Sequence, residues 1–69
     1  MKFYLKAFTP LGEIKFKSAE WTEENYNNLR TYIQNISQYE FLDFMDEYGN
    51  TVILHNEIIK NSYFKIVKE

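Results

Sequence analysis

The stretch "DFMDEYGNTVILH", residues 43–55, gathers most of the residues here that could do chemistry. Asp43, Asp46 and Glu47 precede Gly49, and His55, the only histidine, closes it. A calcium loop would need oxygen ligands at alternate positions of the form D-x-[DN]-x-[DN]-G. The acids at 43, 46 and 47 miss that spacing, and strand alternation sends Asp43 and Asp46 to opposite faces. A hydrolytic site would need a nucleophile for His55. The chain has no cysteine, and Ser18, Ser37 and Ser62 lie in cap-like or turn-like settings without a strained strand-to-helix elbow. The two glycines are isolated, so no phosphate-cradling loop is present. The stretch reads as a turn between two strands. No catalytic, cofactor-binding or metal-binding residue is assigned, and the chain is expected not to be an enzyme.

The turn reading rests on the elements around it. "KFYLKAF" alternates Phe3, Leu5 and Ala7 with Tyr4, Lys6 and Phe8, the period of a strand. In "TPLGE", Pro10 presets φ for the second turn position and Gly12 follows where a positive φ is wanted. "EIKFK" returns as a second strand. The period then changes. Tyr26, Leu29, Ile33 and Ile36 form one stripe of a helix. Thr22 is its expected N-cap, with Ser18 the competitor one turn earlier, and Glu23 and Glu24 suit the positive end of the helix dipole. Trp21 and Tyr26 then occupy the two positions of a hydrophobic staple. Asn27, Asn28 and Gln34 should face water.

Asp46, Glu47, Tyr48 and Gly49 repeat the offsets of Thr9, Pro10, Leu11 and Gly12, which marks a second hairpin. "NEIIKNS" reads as a turn or single helical turn with Ile58 or Ile59 tucked inward, and "YFKIV" closes the chain as a strand. The expected order is ββαβββ over residues 1–69: a single α+β domain with one helix across one face of a small antiparallel sheet.

Composition sets the energetic frame. A chain of 69 residues buries only about 60% of the surface its unfolded form exposes, and its stability is on the order of 3–10 kcal/mol. No disulfide can add to that. Six Phe, six Tyr and one Trp compensate, since each ring can bury roughly 150–250 Å². The net charge of -2 comes from mixed signs, which gives no strong long-range attraction to nucleic acid or to an anionic membrane. No apolar run approaches the ~18 residues of a membrane span, and "MKFYLKAFTP" lacks the form of a secretion signal. A soluble cytoplasmic protein is expected.

The apolar residues exceed what one core needs. Alternation turns Phe3, Leu5, Ile14, Phe16, Leu42, Phe44, Phe64 and Ile66 toward the helix. It turns Tyr4, Phe8, Phe41, Met45, Ile53, Tyr63 and Val67 away from it. Large exposed apolar patches mark interaction sites, so Tyr4, Phe8, Phe41, Met45 and Tyr63 are the expected interaction surface. Coiling of the sheet into a partial barrel is the competing expectation.

The tail "FLDFMDEYGNTVILHNEIIKNSYFKIV" resembles small uncharacterised proteins of phages and mobile elements in AT-rich bacteria. They share its acidic turn ending Gly-Asn, its Val-Ile-Leu strand and its closing strand. The resemblance implies action by binding, as an inhibitor or modulator of a host or antiviral-defence protein, in the host cytoplasm. The matching residues are turn and strand residues and carry no site.

The reading is thus a non-enzymatic protein-interaction module, with a symmetric homodimer or a host protein as the expected partner, nucleic acid not expected, no membrane and no cofactor. Two alternatives have other partners. Tyr4 and Phe8 with Lys6, Lys15 and Lys17 form a small aromatic and basic surface for nucleic acid or a nucleotide. Glu40, Asp43, Asp46 and Glu47 form an acidic imitation of phosphates.

Overall fold

The computed structural model describes all residues from Met1 to Glu69. Alternation makes Lys2–Thr9 the first strand, β1. Its odd positions Phe3, Leu5 and Ala7 are buried, at 2%, 2% and 0% exposure. The turn at Thr9–Gly12 is held by the Thr9 hydroxyl, which accepts from the Leu11 N–H and donates to the Gly12 carbonyl. Gly12 has φ 130°, a backbone region closed to side chains. β2 (Gly12–Lys15) then returns antiparallel, pairing Lys6 with Lys15 and Ala7 with Ile14.

Next comes a feature that no period in the sequence announces. A two-residue strand, β3 (Ala19–Glu20), pairs with the start of β1, Phe3 facing Ala19. From Lys6 to Phe3, β1 takes three steps, whereas its partner takes four from Lys15 to Ala19. One extra residue is accommodated there, the property of a β-bulge. The displaced backbone reaches sideways. Phe16 N–H still donates to the Leu5 carbonyl, while Lys17 N–H donates to the Met45 carbonyl.

Helix α1 spans Glu23–Gln34. The Thr22 hydroxyl accepts from the Asn25 N–H at 3.0 Å, so Thr22 and not Ser18 is the cap. Trp21 and Tyr26 close the staple with ring centroids 4.8 Å apart. Ser18 donates its hydroxyl to Glu69. The stripe Tyr26, Leu29 and Ile33 faces the sheets half-buried, and Asn27, Asn28 and Gln34 are exposed. Ile36, the last stripe residue, is buried from a short 3-10 turn, Ile36–Gln38. Tyr32, which the stripe omitted, also packs inward, against Tyr39 and Phe44.

β4 (Phe41–Met45) and β5 (Thr51–His55) form the second hairpin. In its turn the Asp46 carboxylate accepts from the Tyr48 and Asn50 N–H groups, both at 2.9 Å, and Gly49 has φ 85°. α2 (Asn56–Lys60) inserts Ile59, which is 3% exposed, and leaves Ile58 partly buried. Asn56 anchors this helix by donating to the Tyr39 carbonyl. β6 (Tyr63–Lys68) runs along the free edge of β1.

The α+β class and the antiparallel pairing follow the expectation, whereas the added strand β3 and the division into two sheets depart from it. The strands divide into two sheets, β2, β3 and β6 around β1 and the β4–β5 pair. A single bridge between Phe16 and Asp46 joins them. Both sheets turn their inner faces to one core, centred on Leu5, Ala7, Phe16, Leu42, Leu54 and Ile59. Every residue expected to face the helix is in that core or packed on its margin.

Candidate interaction surface

The outer face of the first sheet is built by the even residues of β1 and their cross-strand partners. Tyr4 faces Val67, Phe8 faces Tyr63, and Lys6 lies between Lys15 and Lys65. The rings of Phe8 and Tyr63 stack 4.5 Å apart, 7° from parallel. The Lys15 ammonium sits 4.6 Å from the centre of the Tyr4 ring. Lys6 and Lys65 approach the Phe8 ring at 5.3 and 5.5 Å. Such contacts stabilise by about 0.5–1 kcal/mol each at exposed sites. They explain why Tyr4 and Phe8 are only half-exposed. The side chains of the face itself screen these rings.

The outer face of the hairpin has a different chemistry. Its rows are Phe41 with His55, Asp43 with Ile53, and Met45 with Thr51. Phe41, Met45 and Ile53 are 46%, 45% and 54% exposed. The five expected surface residues therefore fall into two groups. Tyr4, Phe8 and Tyr63 share the first sheet, and Phe41 and Met45 belong to the second. Lys17, grouped by sequence with Lys6 and Lys15, points its ammonium instead at the Met45 sulfur, 4.0 Å away. The bulge carries it there. Lys65 is the residue that sequence reasoning missed. Only its alignment with Lys6, across a pairing of chain ends, brings it to the face.

Met45 also lines a groove of about 310 Å³ between the bulge and the first half of α1. Phe3, Leu5, Phe16, Leu29 and Phe44 form its apolar walls, and Lys17 and Asn28 are among its polar residues. The volume is at the lower end of the ~300–1,000 Å³ of ligand pockets and suits one large apolar group.

His55 stands exposed on β5 with its ring 6.5 Å from that of Phe41. The hydroxyls of Ser18 and Ser62 are engaged elsewhere, with Glu69 and the Ile58 carbonyl. Asp46 is occupied by its own turn. No three His, Cys, Asp or Glu side chains converge as a metal site. Burial, then the neighbouring Tyr39 and Asp43, raises the Tyr32 phenol above its ordinary range. No helix is long and apolar enough to cross a membrane.

No family model, curated protein or solved structure matches this chain.

Proposed function

We propose that the chain is a non-enzymatic binding module that holds another protein against the outer side of β4 and β5. It would act as a small inhibitor or modulator of a host or antiviral-defence protein, with pairing to a second copy as its other association. The observation that carries this reading is the half-exposed set Phe41, Met45 and Ile53 beside a groove that Met45 also lines. Binding energy in protein interfaces concentrates on a few apolar or aromatic anchors seated in pockets. Here an apolar patch and a slot for an anchor lie together, with Asp43 and His55 in the neighbouring cross-strand rows to supply polar contacts.

The test is sedimentation equilibrium of wild type and of a Phe41→Glu, Ile53→Glu variant, followed by affinity capture from host lysate with each protein as bait. Burying an unpaired carboxylate is costly. The double variant should therefore lose both self-association and any captured partner while its circular dichroism is unchanged. Wild-type protein that is monomeric and captures nothing beyond what the double variant captures would overturn the proposal.

A further inference from the structure

We infer that the outer face of the first sheet binds single-stranded nucleic acid, with its phosphates on the row Lys15–Lys6–Lys65 and its bases on Tyr4 and Tyr63. This goes beyond the docking reading and uses the other sheet.

The register carries the inference. Lys6 pairs directly with Lys15 on one side and with Lys65 on the other. Directly opposed side chains start about 4.5–5.5 Å apart at Cβ, and like charges in such pairs are destabilising. Three lysines thus share one row across three strands, the Lys15 ammonium leaning toward Tyr4 and those of Lys6 and Lys65 toward Phe8. One carboxylate offsets them, that of Glu13, 3.3 Å from Lys6. Lys15 and Lys65 have no acidic partner; the Lys6–Glu13 pair is the only salt bridge in the molecule. Three lysines and one glutamate sum to +2, and the Asp46 and Glu47 side chains of the hairpin turn line a hollow with Lys15 at one end of the row. The chain as a whole carries -2, so everything else sums to -4. A protein of acidic balance places three of its eight cationic side chains in adjacent register, an arrangement that a bound polyanion would relieve.

The rings decide which polyanion. Tyr4 lies two residues along β1 from Lys6 in one direction, and the stacked Phe8–Tyr63 pair lies two residues away in the other. At about 3.3–3.4 Å per residue this places aromatic groups ~7 Å on either side of the charge row, ~13 Å apart overall. Tyr63 is 58% exposed, and its stack with Phe8 covers only one ring face. A charged row flanked by rings is what single strands require: ammonium groups for the backbone and platforms for successive bases, without dependence on base identity. An acidic peptide would use the lysines and leave the rings idle.

The experiment is fluorescence anisotropy of a labelled oligothymidylate titrated with the full chain over a range of salt concentrations. For single strands the slope of log K against log salt is about -0.7 per phosphate neutralised, so three lysines predict a slope near -2. Lys15→Ala with Lys65→Ala should flatten it toward about -0.7. Removing like charges should leave the fold intact, which circular dichroism checks. Tyr63→Ala should weaken binding roughly tenfold, in line with the loss of one stacked base, and leave the slope alone. Phe41→Glu with Ile53→Glu, on the other sheet, should bind as wild type does, which separates this test from that of the docking reading. Absence of binding at low salt by folded wild type would overturn the inference. So would Tyr63→Ala binding as tightly as wild type, or polyglutamate binding as tightly as the oligonucleotide. The first of these two results would mark a general polyanion surface, and the second an acidic-protein site.

Discussion

Phe16 and Asp46 face one another across the one bridge that joins the two sheets. Phe16 serves both sides of the joint, and the bonds that flank the bridge come from the neighbours of both residues. Phe16 gives its N–H to Leu5 in the first sheet and its ring, edge-on at 5.8 Å, to Phe44 in the second. Asp46 completes the hairpin turn with its carboxylate. The Glu47 N–H donates to the Lys15 carbonyl, and the Lys17 N–H to the Met45 carbonyl. The two proposed surfaces are thereby fixed relative to one another by a few residues around one turn.

That turn is the first thing to perturb. Asp46→Ala removes the acceptor for the Tyr48 and Asn50 N–H groups and should destabilise by about 1–2 kcal/mol. Asp46→Asn keeps an acceptor oxygen and should recover most of that loss. Gly49→Ala forces a Cβ into a φ of 85°. Its surroundings are open, so the cost is backbone strain alone, about 1 kcal/mol. Urea unfolding of the three variants measures these differences. Asp46→Asn as damaging as Asp46→Ala would show that the charge, and not the turn geometry, matters. Calcium, magnesium and zinc should leave the melting temperature of wild type unchanged, because the Asp46 oxygen nearest the turn is already engaged.

Much of this arrangement was legible beforehand, for local reasons. Alternation assigned the inner and outer faces because a strand's side chains obey a strict period of two. The staple and the Thr22 cap were legible because they join residues within one helical turn. What stayed hidden depends on register between distant segments. The bulge between Lys15 and Ala19 has no glycine and no break in pattern, so "KFKSAE" read as strand passing into helix. Lys65 joined Lys6 only through pairing of the chain's two ends. Tyr32 borders the apolar stripe, three residues after Leu29 and four before Ile36, and the Tyr39 and Phe44 rings it packs against lie outside its own helix.

The staple extends into the core and should be worth more than a surface cap. Trp21 meets Phe3 edge-on at 5.1 Å as well as Tyr26 at 4.8 Å, and Lys68 lies over its indole at 4.8 Å. Thr22→Ala should cost about 1 kcal/mol, the usual loss of a cap. Trp21→Ala removes three contacts that link β1, α1 and β6, and should cost about 3 kcal/mol or more. Against a total stability on the order of 3–10 kcal/mol, that loss is about a third of the total or more, so the variant should melt well below wild type. A thermal melt followed by circular dichroism decides it, and equal effects of the two substitutions would contradict the staple's role in the core.

The last expectation concerns alkaline pH and Tyr32. Its ring lies 4.9 Å from Tyr39 and 5.3 Å from Phe44. Burial first, then Tyr39 and Asp43, raises its pKa above the ordinary 10.0. In the unfolded chain the phenol ionises at that ordinary value, and in the folded chain it does so only at higher pH. Between the two values the unfolded state has released a proton that the folded state retains. Stability therefore falls as pH rises through this interval. The contribution is fully present below pH 10.0 and is lost as pH climbs through the folded value. Tyr32→Phe cannot ionise, so it should escape this part of the alkaline loss. Asp43→Asn removes one source of the raised value and should narrow the interval. Urea midpoints on either side of pH 10.0, for wild type and both variants, provide the comparison, with phenolate absorbance as an independent reading. Superimposable profiles for wild type and Tyr32→Phe would mean that burial beside Tyr39 and Asp43 does not hold the Tyr32 phenol in its neutral form.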